Sequence, residues 1–181
     1  TGADDSCDLL VNDACTGESL VEPFYRNQVV IFHYAGHASP DSLLLQTSDG
    51  HNAPASRQRF EEFLALQSRL RLVFLNACMT REWAAALVSC GVCVVATSRC
   101  IEDSIAPKFA NVFYNQIAQG RTIAEAFEVA SKGCSSAEEH QQSLRGFAAA
   151  ENDHATDGLP WALYGSEAAR RWKLADDADD P

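Results

Sequence analysis

The chain has 181 residues, 46% of them apolar, which suits one domain with a sizeable core. Its 14 basic residues face 25 acidic ones, a net charge of −11, so direct nucleic-acid binding through phosphate neutralisation is not expected. No apolar run is long enough to span a bilayer and no leader pattern opens the chain, so no membrane association is expected.

Acidic residues gather at both ends. Residues 1–7, with Asp4 and Asp5, read as a flexible acidic segment, residues 8–173 as the domain, and residues 174–181 as a second acidic tail. The seven cysteines are odd in number and not spaced like a disulfide scaffold. Cys90, Cys93 and Cys100 lie in or beside an apolar strand pattern, where reduced thiols act as small hydrophobes. A reducing cytoplasm is the expected setting.

In chain order, residues 9–11 are predicted as a short strand. Thr16 or Ser19 then caps a helix running to about Tyr25. Residues 29–32 form the next strand, leading into Gly36 and His37. Residues 39–55 are loop-rich, with Pro40, Asp49-Gly50 and Pro54, interrupted by a short strand at 43–45. Phe60, Phe63, Leu64 and Leu70 have near-helical spacing, with Ser56 as the cap. A strand at 72–75, a helix at 83–89 ending at Gly91 and a β-branched strand at 92–96 follow. Ile105, Phe109, Val112, Phe113 and Ile117 form the stripe of a helix that stops at Gly120. Thr122-Ile-Ala-Glu125 is a capping box that opens another, with Ile123, Phe127 and Ala130 inward. From Gly133 to Pro160 the chain is polar and weakly patterned, and it closes with Pro160-Trp-Ala-Leu-Tyr-Gly165 and Trp172. Strands alternating with helices predict an α/β fold, a mostly parallel sheet with helices on both faces.

Two of these strands stop at reactive side chains. Ile31-Phe-His-Tyr-Ala-Gly-His37 delivers an imidazole, and Leu72-Val-Phe-Leu-Asn-Ala-Cys78 a thiol. In parallel sheets, sites form beyond the carboxyl ends of strands, so His37 and Cys78 are expected in one cleft if their strands are neighbours. A thiol attacks an amide carbonyl only as thiolate, and its free pKa of about 8.5 leaves little thiolate at neutral pH. An imidazole can take that proton and later protonate the leaving amine. The pair therefore points to a cysteine peptidase with Cys78 as nucleophile and His37 as base. The backbone N–H groups of Ala38 and Cys78 are the expected oxyanion donors, each worth about 3–4 kcal/mol. Gly36 would let the chain bend there without a Cβ clash. Asn76 is expected either to brace the loop or to contact substrate.

His33-Tyr-Ala-Gly-His37-Ala, Phe74-Leu-Asn-Ala-Cys78, Ala96-Thr-Ser with Glu102-Asp103, Phe109-Ala-Asn-Val-Phe-Tyr114 and Pro160-Trp-Ala-Leu-Tyr-Gly165, in this order, resemble the CHAT peptidases, relatives of caspases and separase. The resemblance implies a caspase-like three-layer sandwich and a His37/Cys78 dyad. It also implies an endopeptidase that cuts a protein substrate at limited sites, in a bacterial defence or stress system, under an activating adaptor or sensor protein. Glu102 and Asp103 would then line the pocket for the residue before the scissile bond, favouring Arg or Lys; Asp103 could equally cap the helix near Ser104. No cofactor and no metal are implied. The family carries a first strand and helix without counterpart in the few residues before Cys7, and a separate chain is one expected source. The family also has Gly where this chain has Ala38. That difference and the missing first strand and helix motivate a rival reading, an inactive caspase-like interaction module.

Other residues have plainer readings. His33 is expected to be structural, the Cys90/Cys93 spacing to reflect core packing, and a zinc site from His33, His37 and Cys78 is the minor alternative. Trp83 is expected in the core. Trp161 either pins the carboxyl-terminal segment or walls the groove, and His51, His140 and His154 sit in polar stretches. A nucleotide-binding domain fares worst, because no Gly-rich phosphate loop follows a strand.

Overall fold

The computed structural model describes residues 8–26, 29–142 and 159–177. In order they form α1 (Gly17–Arg26), β1 (Ile31–Gly36), β2 (Ala38–Ser39), β3 (Ser42–Gln46), β4 (Asn52–Ser56), α2 (Arg57–Ala65) and β5 (Leu72–Ala77). A turn of 3-10 helix leads into α3 (Ala84–Ser89), followed by β6 (Cys93–Thr97), α4 (Ala106–Ala118), α5 (Ile123–Gln142), β7 (Trp161–Tyr164) and α6 (Glu167–Arg170).

The central sheet has the order β1-β5-β6-β7. The first three strands are parallel and β7 is antiparallel. Every residue of β5 and β6 is buried, as expected of strands covered on both faces. Their two-residue period divides the interior. Val73, Leu75, Val94 and Ala96 face Leu20, Phe60, Leu64, Trp83 and Leu87 from α1, α2, α3 and the turn before it. Leu72, Phe74, Cys93 and Val95 face Phe109, Phe113 and Ile117 of α4 and Ile123, Phe127 and Ala130 of α5. The result is the expected α/β sandwich of three layers.

Several helix ends follow the expected chemistry. The Ser19 amide donates to the Thr16 hydroxyl (3.1 Å) and the Thr16 amide to the Ser19 hydroxyl (2.9 Å), closing the start of α1. Thr122 and Glu125 form the reciprocal capping box of α5 at 2.9 and 3.2 Å. Ser56 precedes α2 but makes no side-chain cap bond, and Leu70 lies beyond that helix.

Three stretches differ from expectation. Residues 9–11 form no strand, and Leu9 is 85% exposed. The loop-rich stretch after His37 is a small antiparallel sheet, β2-β3-β4. Pro54 lies on β4, an outer strand of that sheet, where a missing N–H is tolerated. Finally, α5 passes through Gly133 and continues to Gln142. A helical glycine costs about 1 kcal/mol relative to alanine. The buried row Ile123, Ala126, Phe127, Ala130 and Cys134 outweighs that cost by packing against the sheet. His154 and both acidic end segments apart from residues 174–177 fall outside the described residues, as does the His140 side chain.

His33 projects from β1 and is structural, as expected. Its ring stacks on Phe74 (4.7 Å between centroids, 6°) and on Tyr114 (5.4 Å, 26°). The residue keeps solvent contact, yet desolvation of the ring lowers its pKa to about 4. The neutral form is thus favoured on folding, so the unfolded chain binds the proton more readily. This contribution is fully present above the unfolded value of about 6.5 and is lost as pH falls from there towards 4. His33→Phe keeps the stack and should flatten the dependence of the urea midpoint on pH across that window. An unchanged slope would exclude His33 as its source.

Candidate active site

The parallel pairing of β1 and β5 runs in register from Ile31↔Leu72 to Gly36↔Ala77. The next residues, His37 and Cys78, therefore leave adjacent strands side by side at the same carboxyl rim. Neighbouring strands lie about 4.8 Å apart, so the two residues emerge close together where the rim opens. His37 is exposed and Cys78 half-buried.

Each side of this opening is fixed by a separate device. On the imidazole side, the Tyr34 hydroxyl reaches the carbonyls of His37 (2.8 Å) and Leu44 (2.9 Å), and the Leu44 amide donates to the His37 carbonyl (2.9 Å). Gly36 is required by close approach: a Cβ there would stand 2.8 Å from the Tyr34 hydroxyl oxygen. Its φ is not positive, so the expected bend is not the reason for glycine. Because His37 and Leu44 are a hydrogen-bonded pair, the next pair, Ala38 and Leu43, directs its N–H groups away from the ladder. The Ala38 amide thus points out of the small sheet. Ala38 has no positive φ either, so its methyl group imposes no backbone strain.

On the thiol side, Met79 follows Cys78 with φ of 54°. Such a left-handed non-glycine residue costs of order 1–3 kcal/mol and persists only where its surroundings over-determine it. Those surroundings are Thr80 and Thr97, both fully buried. The Thr97 amide donates to the Thr80 hydroxyl (3.0 Å), the Thr80 amide to the Thr97 hydroxyl (3.4 Å), and the Thr97 hydroxyl to the Ala77 carbonyl. The Met79 amide reaches the Arg99 carbonyl at 3.5 Å. The turn carrying Cys78 is thereby stapled to the turn after β6. Sequence reading missed this pair, although two threonines just past buried strand runs were its visible signal.

Asn76 is a brace and not a substrate contact. It is 5% exposed, its Nδ2 donates to the Ala106 carbonyl (3.0 Å), and its Oδ1 accepts from Trp161 Nε1 (3.0 Å). Trp161 also stacks on Phe109 at 4.3 Å, so it pins β7 to α4.

Beside the turns lies an open cleft of about 210 Å³, lined by Arg99, Cys100, Ile101, Glu102, Ile105, Pro160 and Trp161. Glu102 lines this cleft with Arg99 beside it. Asp103 is exposed and is not among the residues lining this cleft, and α4 opens at Ala106 without a side-chain cap bond.

Cys93 is buried, its thiol donating to the Tyr164 carbonyl (3.3 Å), and burial raises its pKa to about 12. Cys90 is exposed at the turn before β6, so these two thiols have different environments. Among the described residues no group of three or more His, Cys, Asp and Glu side chains could hold a metal ion, and the stacking of His33 removes it from the alternative zinc set. No helix among the described residues is long and apolar enough to cross a membrane.

The family model for the CHAT domain matches residues 2–169. No curated protein matches the chain.

Thr97→Val keeps the side-chain volume but leaves the Thr80 amide and the Ala77 carbonyl without this partner. It should destabilise the protein by about 1–3 kcal/mol in urea unfolding and slow alkylation of Cys78 by loosening its turn. A variant with wild-type stability and Cys78 reactivity would show that the threonine pair does not hold the turn.

Proposed function

The chain belongs to the CHAT domain family, whose caspase-like α/β fold it shares, and from this premise we propose that it is a cysteine endopeptidase. The observation that carries this reading is the Gly36↔Ala77 register, which sends His37 and Cys78 to the same rim. In the proposed reaction His37 takes the Cys78 proton and the thiolate attacks the scissile carbonyl. The Ala38 and Cys78 amides hold the oxyanion, and His37 returns the proton to the leaving amine. Water activated by His37 then hydrolyses the thioester. A negative charge that develops close to two preorganised amides in a partly desolvated opening gains more than it would in bulk water.

The substrate is a protein cut at limited sites. Glu102 contacts the residue before the scissile bond and favours Arg or Lys there, with Arg99 turned to another part of the substrate. The protein acts as a regulated effector, in a bacterial defence or stress system, under an adaptor or sensor that orders the turns after Ala38 and Cys78. Among the described residues β1 forms one edge of the central sheet, and a further strand pairs along it. The rival reading of an inactive module rests in part on Ala38. Its ordinary φ makes the methyl group compatible with an outward-pointing amide, which favours the peptidase.

Under reducing conditions, an electrophilic peptide probe should modify Cys78, and His37→Ala should slow that labelling by about 10²–10⁴-fold. Labelling that is indifferent to His37→Ala would favour the inactive module. In cells, new amino termini made by the wild type and not by Cys78→Ala should follow Arg or Lys. Glu102→Gln should lower kcat/KM for such sites by about ten- to a hundredfold. Cuts after apolar residues would remove the acidic-pocket assignment.

A further inference from the structure

Cys100 lies just beyond β6 as Cys78 lies just beyond the adjacent β5, and it lines the cleft beside the candidate dyad. The Cys100 pKa is raised, first by side-chain hydrogen bonding with Cys78 and then by charge interaction with it, as befits thiols on neighbouring turns. Their backbones are joined one residue away by the Met79 amide and the Arg99 carbonyl (3.5 Å), and two residues from Cys78 the Thr80–Thr97 pair fixes the same two turns. Both cysteines are free, with Cys78 half-buried and Cys100 exposed, so a small oxidant can reach them.

We propose that Cys78 and Cys100 are a peroxide-responsive modification site that closes to an intramolecular disulfide. In the first step the Cys78 thiolate attacks a hydroperoxide. The O–O bond breaks, Cys78 becomes the sulfenic acid, and hydroxide (or alkoxide) leaves with the electron pair. In the second step the Cys100 sulfur attacks the Cys78 sulfur, the S–O bond breaks, and the leaving hydroxide takes the Cys100 proton to become water. With hydrogen peroxide, two thiols and one peroxide give one disulfide and two waters.

The other described thiols are badly placed to compete. Cys93 and Cys134 are buried, and burial raises the thiol pKa of Cys15. Cys90 precedes β6 and so sits at the far end of that strand from Cys100. A disulfide requires Cα atoms within about 7 Å, a span suited to two turns already joined through their backbones. The cross-link stands whether or not Cys78 is a peptidase nucleophile. Its consequence, reversible inactivation with protection of Cys78 from further oxidation, rests on the peptidase reading.

Trypsin separates the two residues cleanly, because segments 72–81 and 100–108 each carry a single cysteine. The reduced full chain, treated with equimolar hydrogen peroxide, alkylated and digested without reductant, should yield these two peptides joined, lighter by two hydrogens than their sum. Dithiothreitol should release them. In Cys100→Ser, an excess of hydrogen peroxide (about two or more equivalents per Cys78) should carry Cys78 to sulfinic acid that dithiothreitol does not reverse, whereas the same excess should still give the joined peptides in the wild type. Wild-type protein showing Cys78 sulfinic acid without the joined peptides, or peptide 72–81 linked to any other cysteine, would overturn the proposal. Both results are read by mass, so they are independent of the peptide-probe labelling that decides the peptidase reading.

Discussion

The alignment of β1 against β5 governs the whole site. Side chains alternate between sheet faces, so a slip of one residue would send the buried set of β1 to the wrong layer and part the two turns at its end. Tyr34 penalises such a slip on one side, because its hydroxyl must meet the carbonyls of His37 and Leu44. His33 penalises it on the other, because its ring must lie on Phe74. Consecutive residues of one strand thus lock into opposite layers, and the register holds without either side chain of the dyad contributing to it.

The rim is built on buried polar contacts that satisfy one another. Asn76 uses both ends of its amide, joining β5 to α4 and to β7. Thr80 and Thr97 exchange backbone and hydroxyl bonds below Cys78. Each would be costly if left half-made, since a buried donor or acceptor without a partner loses its hydration for nothing. Complete, they let an apolar sheet end in a polar opening and hold Met79 in a conformation its side chain disfavours.

The parts of the fold that sequence reading found are those with one dominant physical signal. The apolar runs at 72–75 and 92–96, the helical stripe from Phe109 to Ile117 and the Thr122/Glu125 capping box each state their structure locally. The misses involve competing signals. Pro54 and the Asp49-Gly50 turn suggested loops, but an outer strand tolerates proline, and residues 42–46 and 52–56 pair across that turn. The polar, weakly patterned stretch from Gly133 gave no helix signal, but the buried stripe from Ile123 to Cys134 carries α5 through that glycine. At the site, the imidazole and the thiol were legible because each ends a strand run. The second role of Cys100, the exclusion of Asp103 from the cleft and the buried position of Asn76 were not, because they depend on how different strands and turns meet in space.

The main chain of His37, between β1 and β2, is tied to both sheets at once. Its carbonyl is held by the amide of Leu44 from the small antiparallel sheet and by the hydroxyl of Tyr34 from the central one. The hairpin is therefore no passive flap: pulling on it tugs the imidazole's own backbone, whereas Cys78 is anchored elsewhere, to β6. Any load borne by that hairpin acts on one half of the pair and spares the other.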